Sequence, residues 1–338
     1  MSGAWANGTR QRCRKTKQSY DGRVSRSSLP TAALSRRRFL AVAALLNGAG
    51  GAPSLQAGAK AIHRNRLSAI TDEIGRSPEQ CIAFCKQYGL KWVELRGVPK
   101  ADGARSREYF KLPEPDLKQA ARELADAGLG VSFLNTSMLK FWLPGTEPEN
   151  ARSKQDPTRF EKMREELAQA ANAAHILGTD KVRIFTFWRV KDPAAVMPRV
   201  AELIDQLAEQ AAKEKIRLLI ENEGACNVGS AGELAALMKL VKSKQVGINW
   251  DPLNAEHSKE VAFPDGYRLL PASRIWNVQI KGKSILPGTE WMDWAAIFRQ
   301  LQKDGYRGQV GLETHIFGET QVQKSHESMR EMLRLVTS

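Results

Sequence analysis

The sequence predicts a (β/α)8 barrel that begins near residue 67, and three observations predict it. Eight short β-branched or apolar runs alternate with amphipathic stretches, glycines stand where helices hand over to strands, and about 270 residues are available for the eight units. An open doubly wound sheet would usually follow its first strand with a glycine-rich phosphate loop. The segment Thr71-Asp72-Glu73-Ile74-Gly75 has no such pattern. One α/β domain over 67–338 is therefore expected, without a linker or a longer internal repeat.

The strand-like runs fall at 67–71, 92–95, 131–134, 182–187, 218–220, 246–250, 276–280 and 309–312. Helical patterns lie between them at 78–88, 114–127, 158–177, 194–214, 231–242, 266–273 (short), 291–304 and 320–336. Ser77-Pro78 supplies a cap and a proline at the first helical position, which starts the first helix. Gly89 stops it, and Gly128, Gly178 and Gly305 repeat the device at helix ends that favour a left-handed backbone.

The net charge of +14 is carried by the front of the chain. Residues 1–66 hold 13 Lys/Arg against the single acid Asp21, whereas the remaining 272 residues hold 38 bases and 36 acids. A nearly neutral folded part gives no support to a nucleic-acid groove. Residues 1–34 read as a basic disordered extension. In 35–61, Ser35-Arg36-Arg37-Arg38-Phe39-Leu40 precedes the apolar run Ala41-Val42-Ala43-Ala44-Leu45-Leu46 and small-x-small sites at Ala57-Gly58-Ala59 and Ala59-Lys60-Ala61. This segment resembles a twin-arginine export signal, which implies a periplasmic or other extracytoplasmic destination. The run is far shorter than the ~20 residues that span a bilayer, so no stable membrane span is expected. Four cysteines, at 13, 81, 85 and 226, set no disulfide framework, and 81 with 85 read as buried thiols one helical turn apart.

In a barrel of this kind the reactive groups come from strand C-termini. Strand five closes as Glu221-Asn222-Glu223, strand six as Asn249-Trp250-Asp251, strand seven as Gln279-Ile280-Lys281 and strand eight as Glu313-Thr314-His315. Three neighbouring strands thus end in a carboxylate and the fourth in an amide. Converging acids repel one another and are desolvated, a conflict that a divalent cation resolves. Oxygen donors of this kind suit Mn2+ or Mg2+. Glu94 and Arg96, closing strand two, are placed either to orient a ligand or to pair with each other. Trp188, beyond strand four, offers a ring on which a sugar can stack, while Phe133 and Phe185 read as core.

The runs Leu218-Leu219-Ile220-Glu221-Asn222, Gly247-Ile248-Asn249-Trp250-Asp251, Asn277-Val278-Gln279-Ile280-Lys281 and Gly305-Tyr306-Arg307-Gly308 with Gly311-Leu312-Glu313 resemble the C-terminal half of the xylose-isomerase-like sugar isomerases and epimerases. The resemblance implies a metal held by Glu221, Asp251 and Glu313, with Gln279 standing where the family usually has histidine. It also implies Glu221 and Glu313 as the proton-transfer pair. Asn254 takes the place of a substrate-contacting histidine in the family's Asp-x-x-His, and Lys281 and His315 join it as expected ligand contacts.

The reaction so implied is isomerisation or epimerisation of a ketose or keto-sugar through a cis-enediolate. Elimination from a 3-keto-glycoside on the same barrel is the second enzymatic reading, and a non-catalytic sugar-binding protein is the third. Endonuclease IV shares the ancestry but needs many histidines for three zinc ions. Here there are five, and only His315 closes a strand. The expected partner is a small sugar or keto-sugar, with self-association left open.

Overall fold

The computed structural model describes residues 62–101, 107–149, 157–256 and 258–336. The basic extension 1–34 and the signal-like segment 35–61 lie outside the described residues. From Leu67 the chain alternates strand and helix. The strands are β1 (Leu67–Ala69), β2 (Trp92–Leu95), β3 (Gly130–Leu134), β4 (Lys181–Ile184), β5 (Arg217–Glu221), β6 (Val246–Trp250), β7 (Ile275–Lys281) and β8 (Gln309–Glu313). The long helices are α1 (Pro78–Tyr88), α2 (Glu114–Asp126), α3 (Met163–Ile176), α4 (Pro193–Lys213), α5 (Ala231–Leu240), α6 (Trp294–Lys303) and α7 (Gln321–Leu335).

All ladders are parallel and run β1-β8-β7-β6-β5-β4-β3-β2, and a parallel bridge from Ile70 to Glu94 brings the two edges together into a nearly closed (β/α)8 barrel. Apolar strand residues such as Val182, Ile184, Leu218, Ile220, Ile248, Val278, Ile280 and Leu312 form the continuous core with the helices. Their neighbours in sequence point to the barrel axis, because successive strand side chains face opposite sides. That axis is polar: Gln279 on β7 reaches across it to Glu94 on β2, at 2.7 Å.

Ser77 caps α1 by accepting from the Gln80 amide, and Gly89 ends it with φ 63°. Gly128, Gly178 and Gly305 also adopt positive φ, as their positions in the sequence lead one to expect. Two expected elements differ. The run at 182–187 stays in the sheet only to Ile184, since Phe187 turns to φ 61° and the Phe185 amide bonds to the Met138 carbonyl. The helix expected at 266–273 is replaced by short turns, Ala262–Gly266, Tyr267–Leu269 and Ala272–Arg274, in a stretch broken by Pro264, Gly266 and Pro271. Cys81, Cys85 and Cys226 are free and buried, and burial pushes the thiols of Cys85 and Cys226 up to about 12. Among the described residues, no helix is long and apolar enough to cross a membrane.

Candidate active site

The strand ends at the C-terminal mouth collect the acids. Glu221, at the end of β5, Asp251, just past β6, and Glu313, at the end of β8, each offer an oxygen within 4.8 Å of the others, and all three are buried. This arrangement could hold a divalent ion. Two of its oxygens, Asp251 Oδ2 and Glu313 Oε2, are buried and accept no hydrogen bond, which leaves them open to a cation.

Cations of the chain already stand beside every one of these acids. Arg183, inside β4, donates to Glu221 Oε2 at 2.8 Å, and Asn249 donates to the same oxygen at 2.9 Å. Arg96, just past β2, spreads its guanidinium over Glu313 at 2.8 Å, Glu73 at 2.6 Å and Asp72 at 3.1 Å. The Lys281 ammonium lies 3.2 Å from Asp251 Oδ2 and 4.0 Å from Glu313 Oε2, and donates to Asn254 Oδ1 at 2.5 Å. Asn254 in turn reaches Glu221 Oε1 at 3.4 Å and the Asn222 carbonyl at 2.8 Å.

Burial and charge set the protonation states. Burial alone would raise Glu313, but Lys281, His315 and Arg96 hold its carboxyl well below the usual range. For Asp251 complete burial wins over the pull of Lys281 and pushes the carboxyl up to about 7. Lys281 would be lowered by burial, yet Asp251, Glu313 and Glu221 raise it, so it stays an ammonium.

A cavity of about 310 Å3 opens over this cluster, with Arg96, Lys140, Arg183, Glu221, Lys281 and Glu313 in its wall. His315 lines it as well, with Nδ1 3.4 Å from Glu313 Oε1 and its backbone amide donating to Glu73 at 2.7 Å. Asp251 and Asn254 lie behind Lys281 and do not face the cavity.

Gln279 sits one pleat below the carboxylates. Its oxygen accepts from Asn249 at 2.5 Å and its nitrogen donates to Glu94 at 2.7 Å, so both ends of the amide are committed within the barrel. Glu94 lies at the same depth and also accepts from Ser68 and Asn135. Burial pushes its carboxyl up to about 7. Gly311 is required beside it, because a Cβ at 311 would stand 1.7 Å from Glu94 Oε1. Glu94 and Arg96 therefore do not pair; they share an inward face but occupy successive layers. Trp188 is outside the cavity wall and Phe185 is in it, with the Arg183 guanidinium 4.7 Å and the Lys140 ammonium 4.4 Å from its ring centre.

Arg183, Lys140, Asp72 and Glu73 are site residues that strand-end reading passed over. Asp72-Glu73 directly follows the strand-like run at 67–71 and satisfies the same strand-end rule. Arg183 had a signal too, as the one charge within the strand-like run at 182–187.

An eight-stranded parallel barrel with acids of late strands gathered at its C-terminal mouth places the chain among the (β/α)8 barrel proteins, whose polar sites lie at that end. The xylose isomerase-like TIM barrel family model matches residues 82–333, and the chain belongs to that family. No curated protein sequence matches significantly. Among solved structures, 3-keto-D-glucoside 4-epimerase from E. coli is 14% identical with a TM-score of 0.59, over 80% of this chain and 98% of that one. D-psicose 3-epimerase from Clostridium cellulolyticum H10 is 12% identical with a TM-score of 0.60, again over 80% and 98%. A xylose isomerase-like TIM barrel/4-hydroxyphenylpyruvate dioxygenase fusion protein is 18% identical with a TM-score of 0.59; it is matched over 80% of this chain, which spans 43% of the fusion. At these identities the likeness establishes the fold.

Proposed function

We propose that the protein is a sugar isomerase or epimerase that moves a proton on the carbon beside the carbonyl of a ketose or keto-sugar. The observation that carries this reading is the convergence of Glu221 and Glu313, from β5 and β8, on one polar cavity with Lys281 between them. The two named epimerases act on a 3-keto-D-glucoside and on D-psicose, which favours the same substrate class here.

Glu221 removes the proton. Its Oε2 is pinned by Arg183 and Asn249, which fixes the carboxylate plane and leaves Oε1 with only the 3.4 Å contact from Asn254. Negative charge then develops on the two substrate oxygens of a cis-enediolate. Arg183 and Arg96 line the cavity as fixed positive charge, already oriented before the reaction, and the Lys281 ammonium stands beside them. Return of the proton by Glu221 to the neighbouring carbon isomerises the sugar. Glu313, after taking a proton from water in the cavity, epimerises it by delivering that proton to the opposite face of the first carbon while Glu221 keeps the one it removed. Glu221, Asp251 and Glu313 would hold Mn2+ or Mg2+, which when bound supplies Lewis acidity toward the carbonyl.

The same proton abstraction beside the carbonyl of a 3-keto-glycoside would expel the aglycone, so elimination is the second reading. Export is proposed from the residues at 35–61, with the mature N-terminus of secreted protein as its measurement. Deuterium uptake from heavy water into a panel of ketoses and keto-sugars tests the function. The wild type is expected to exchange the proton beside the carbonyl, and Glu221→Gln to lose about 10²–10⁴-fold in rate. Release of aglycone would select the lyase, and tight sugar binding with no exchange in any condition would leave only a binding protein.

A further inference from the structure

The oxygens that a divalent ion would need are those that face the Lys281 ammonium. Arg183 takes Oε2 of Glu221, which leaves Oε1 with a single 3.4 Å contact from Asn254, and Arg96 takes Oε1 of Glu313. What remains toward the centre is Asp251 Oδ2 and Glu313 Oε2, neither with a hydrogen bond, and Lys281 Nζ approaches them at 3.2 and 4.0 Å. Asn254 Oδ1 completes a three-oxygen setting for an ammonium with three protons. Asn254 is itself fixed by the Asn222 carbonyl, so this acceptor is built in. The only other polar side chain of β7 near the acids, Gln279, is turned into the layer below and brings no fourth ligand.

We infer that Lys281 is the resident cation of the carboxylate cluster, and that a divalent ion binds to Glu221, Asp251 and Glu313 only by displacing its ammonium. The inference rests on the assignment of these three acids under Proposed function. An ammonium and a divalent ion cannot share two buried oxygens without strong repulsion in a poorly solvated site. The displaced head has a place to go. Lys281 lines the cavity, and so does the carboxylate of Glu223, so the flexible four-carbon stem can carry the charge from the cluster into the cavity. Ion entry and cavity occupancy are thereby coupled: a bound ion moves a positive charge toward the ligand, and the empty cluster keeps it at the wall.

The test uses chelator-treated full-length protein without substrate, titrated with Mn2+ while the free ion is followed by electron paramagnetic resonance. Lys281→Met is expected to bind one Mn2+ at least about tenfold more tightly than the wild type, and adding Asp251→Asn should abolish the gain. Wild-type binding as tight as that of Lys281→Met overturns the inference, and so does a failure of both proteins to bind. If Lys281→Met does not fold, Lys281→Gln serves in a melting experiment: it should melt below the wild type in chelator and gain more from Mn2+. An equal response of the two would also overturn the proposal. Deuterium exchange is read separately. Its absence in every variant removes the catalytic reading, while the ion titration still decides the role of Lys281.

Discussion

The two oxygens of Glu313 belong to two unlike neighbourhoods. Oε1 faces Arg96, whose guanidinium also bonds Asp72 and Glu73, so that three carboxylates are held at 2.6–3.1 Å by one planar fork. Oε2 faces Lys281, which stands 3.2 and 4.0 Å from its two carboxylates and leaves both of those oxygens without a hydrogen bond. The first neighbourhood is saturated on the side of its cation, since every Arg96 nitrogen is engaged and Asp72 Oδ1 alone stays there without a hydrogen bond, whereas the second is open. A guanidinium with fixed donors is suited to a permanent joint, while an ammonium on a flexible stem can yield its place. One acid at a strand end thus serves the barrel on one side and faces a cavity on the other.

The largest effect should come from breaking the saturated side. Arg96→Met leaves three buried carboxylates without their shared partner, and a loss of about 3–5 kcal/mol in urea unfolding is expected. Retained stability would break the comparison, since Arg96 would then be as dispensable as a surface charge. Raised Mn2+ affinity in the same variant would sharpen it, because freed Glu313 oxygens would have joined the open side.

The next effect concerns Glu94, which lies a layer below both neighbourhoods and touches no cation. Its carboxyl sits at about 7 in the fold, against an ordinary value of 4.5, because it is wholly buried. The folded state therefore keeps a proton that the unfolded chain loses, and stability falls as pH rises from about 4.5 to about 7, by on the order of 3 kcal/mol. Asp251 is raised in the same direction. Glu94→Gln should therefore reduce, without abolishing, the loss of stability between pH 5 and pH 8 measured by urea unfolding. An unchanged slope would mean that Glu94 is ionised in the fold.

Much of this was legible in the sequence because it is periodic. Alternating runs fix strands, left-handed glycines fix helix ends, and carboxylates at 221, 251 and 313 stand out because each closes an apolar run. The cations were harder to place. Which acid Arg96 meets depends on bringing β1, β2 and β8 side by side, and no local spacing states that residues 217 positions apart will touch. Gln279 illustrates a second limit. Its place beside Lys281 in the sequence is plain, but the layer in which its amide finds partners is set by Asn249 and Glu94 on other strands. The loop region after β6 fell outside the rule for a simpler reason, since Pro264, Gly266 and Pro271 divide what composition alone reads as one helix.

Lys140 gives the smallest effect and tests depth. Its ammonium meets Glu223 at 3.1 Å at the cavity entrance, with both side chains 25% exposed, and lies over the Phe185 ring. Water competes for this pair, so Lys140→Met should change unfolding free energy by less than about 1 kcal/mol. The Glu223 carboxyl, held low against burial by Lys140 and then by Lys281, should rise but remain partly depressed through Lys281 and the Ala225 amide. A titration of Glu223 by carbon-detected NMR reads that change directly. If Lys140→Met destabilised the fold as much as Arg96→Met, burial would not be what separates the fixed joint from the working mouth, and the charge count at the rim would have to carry the distinction instead.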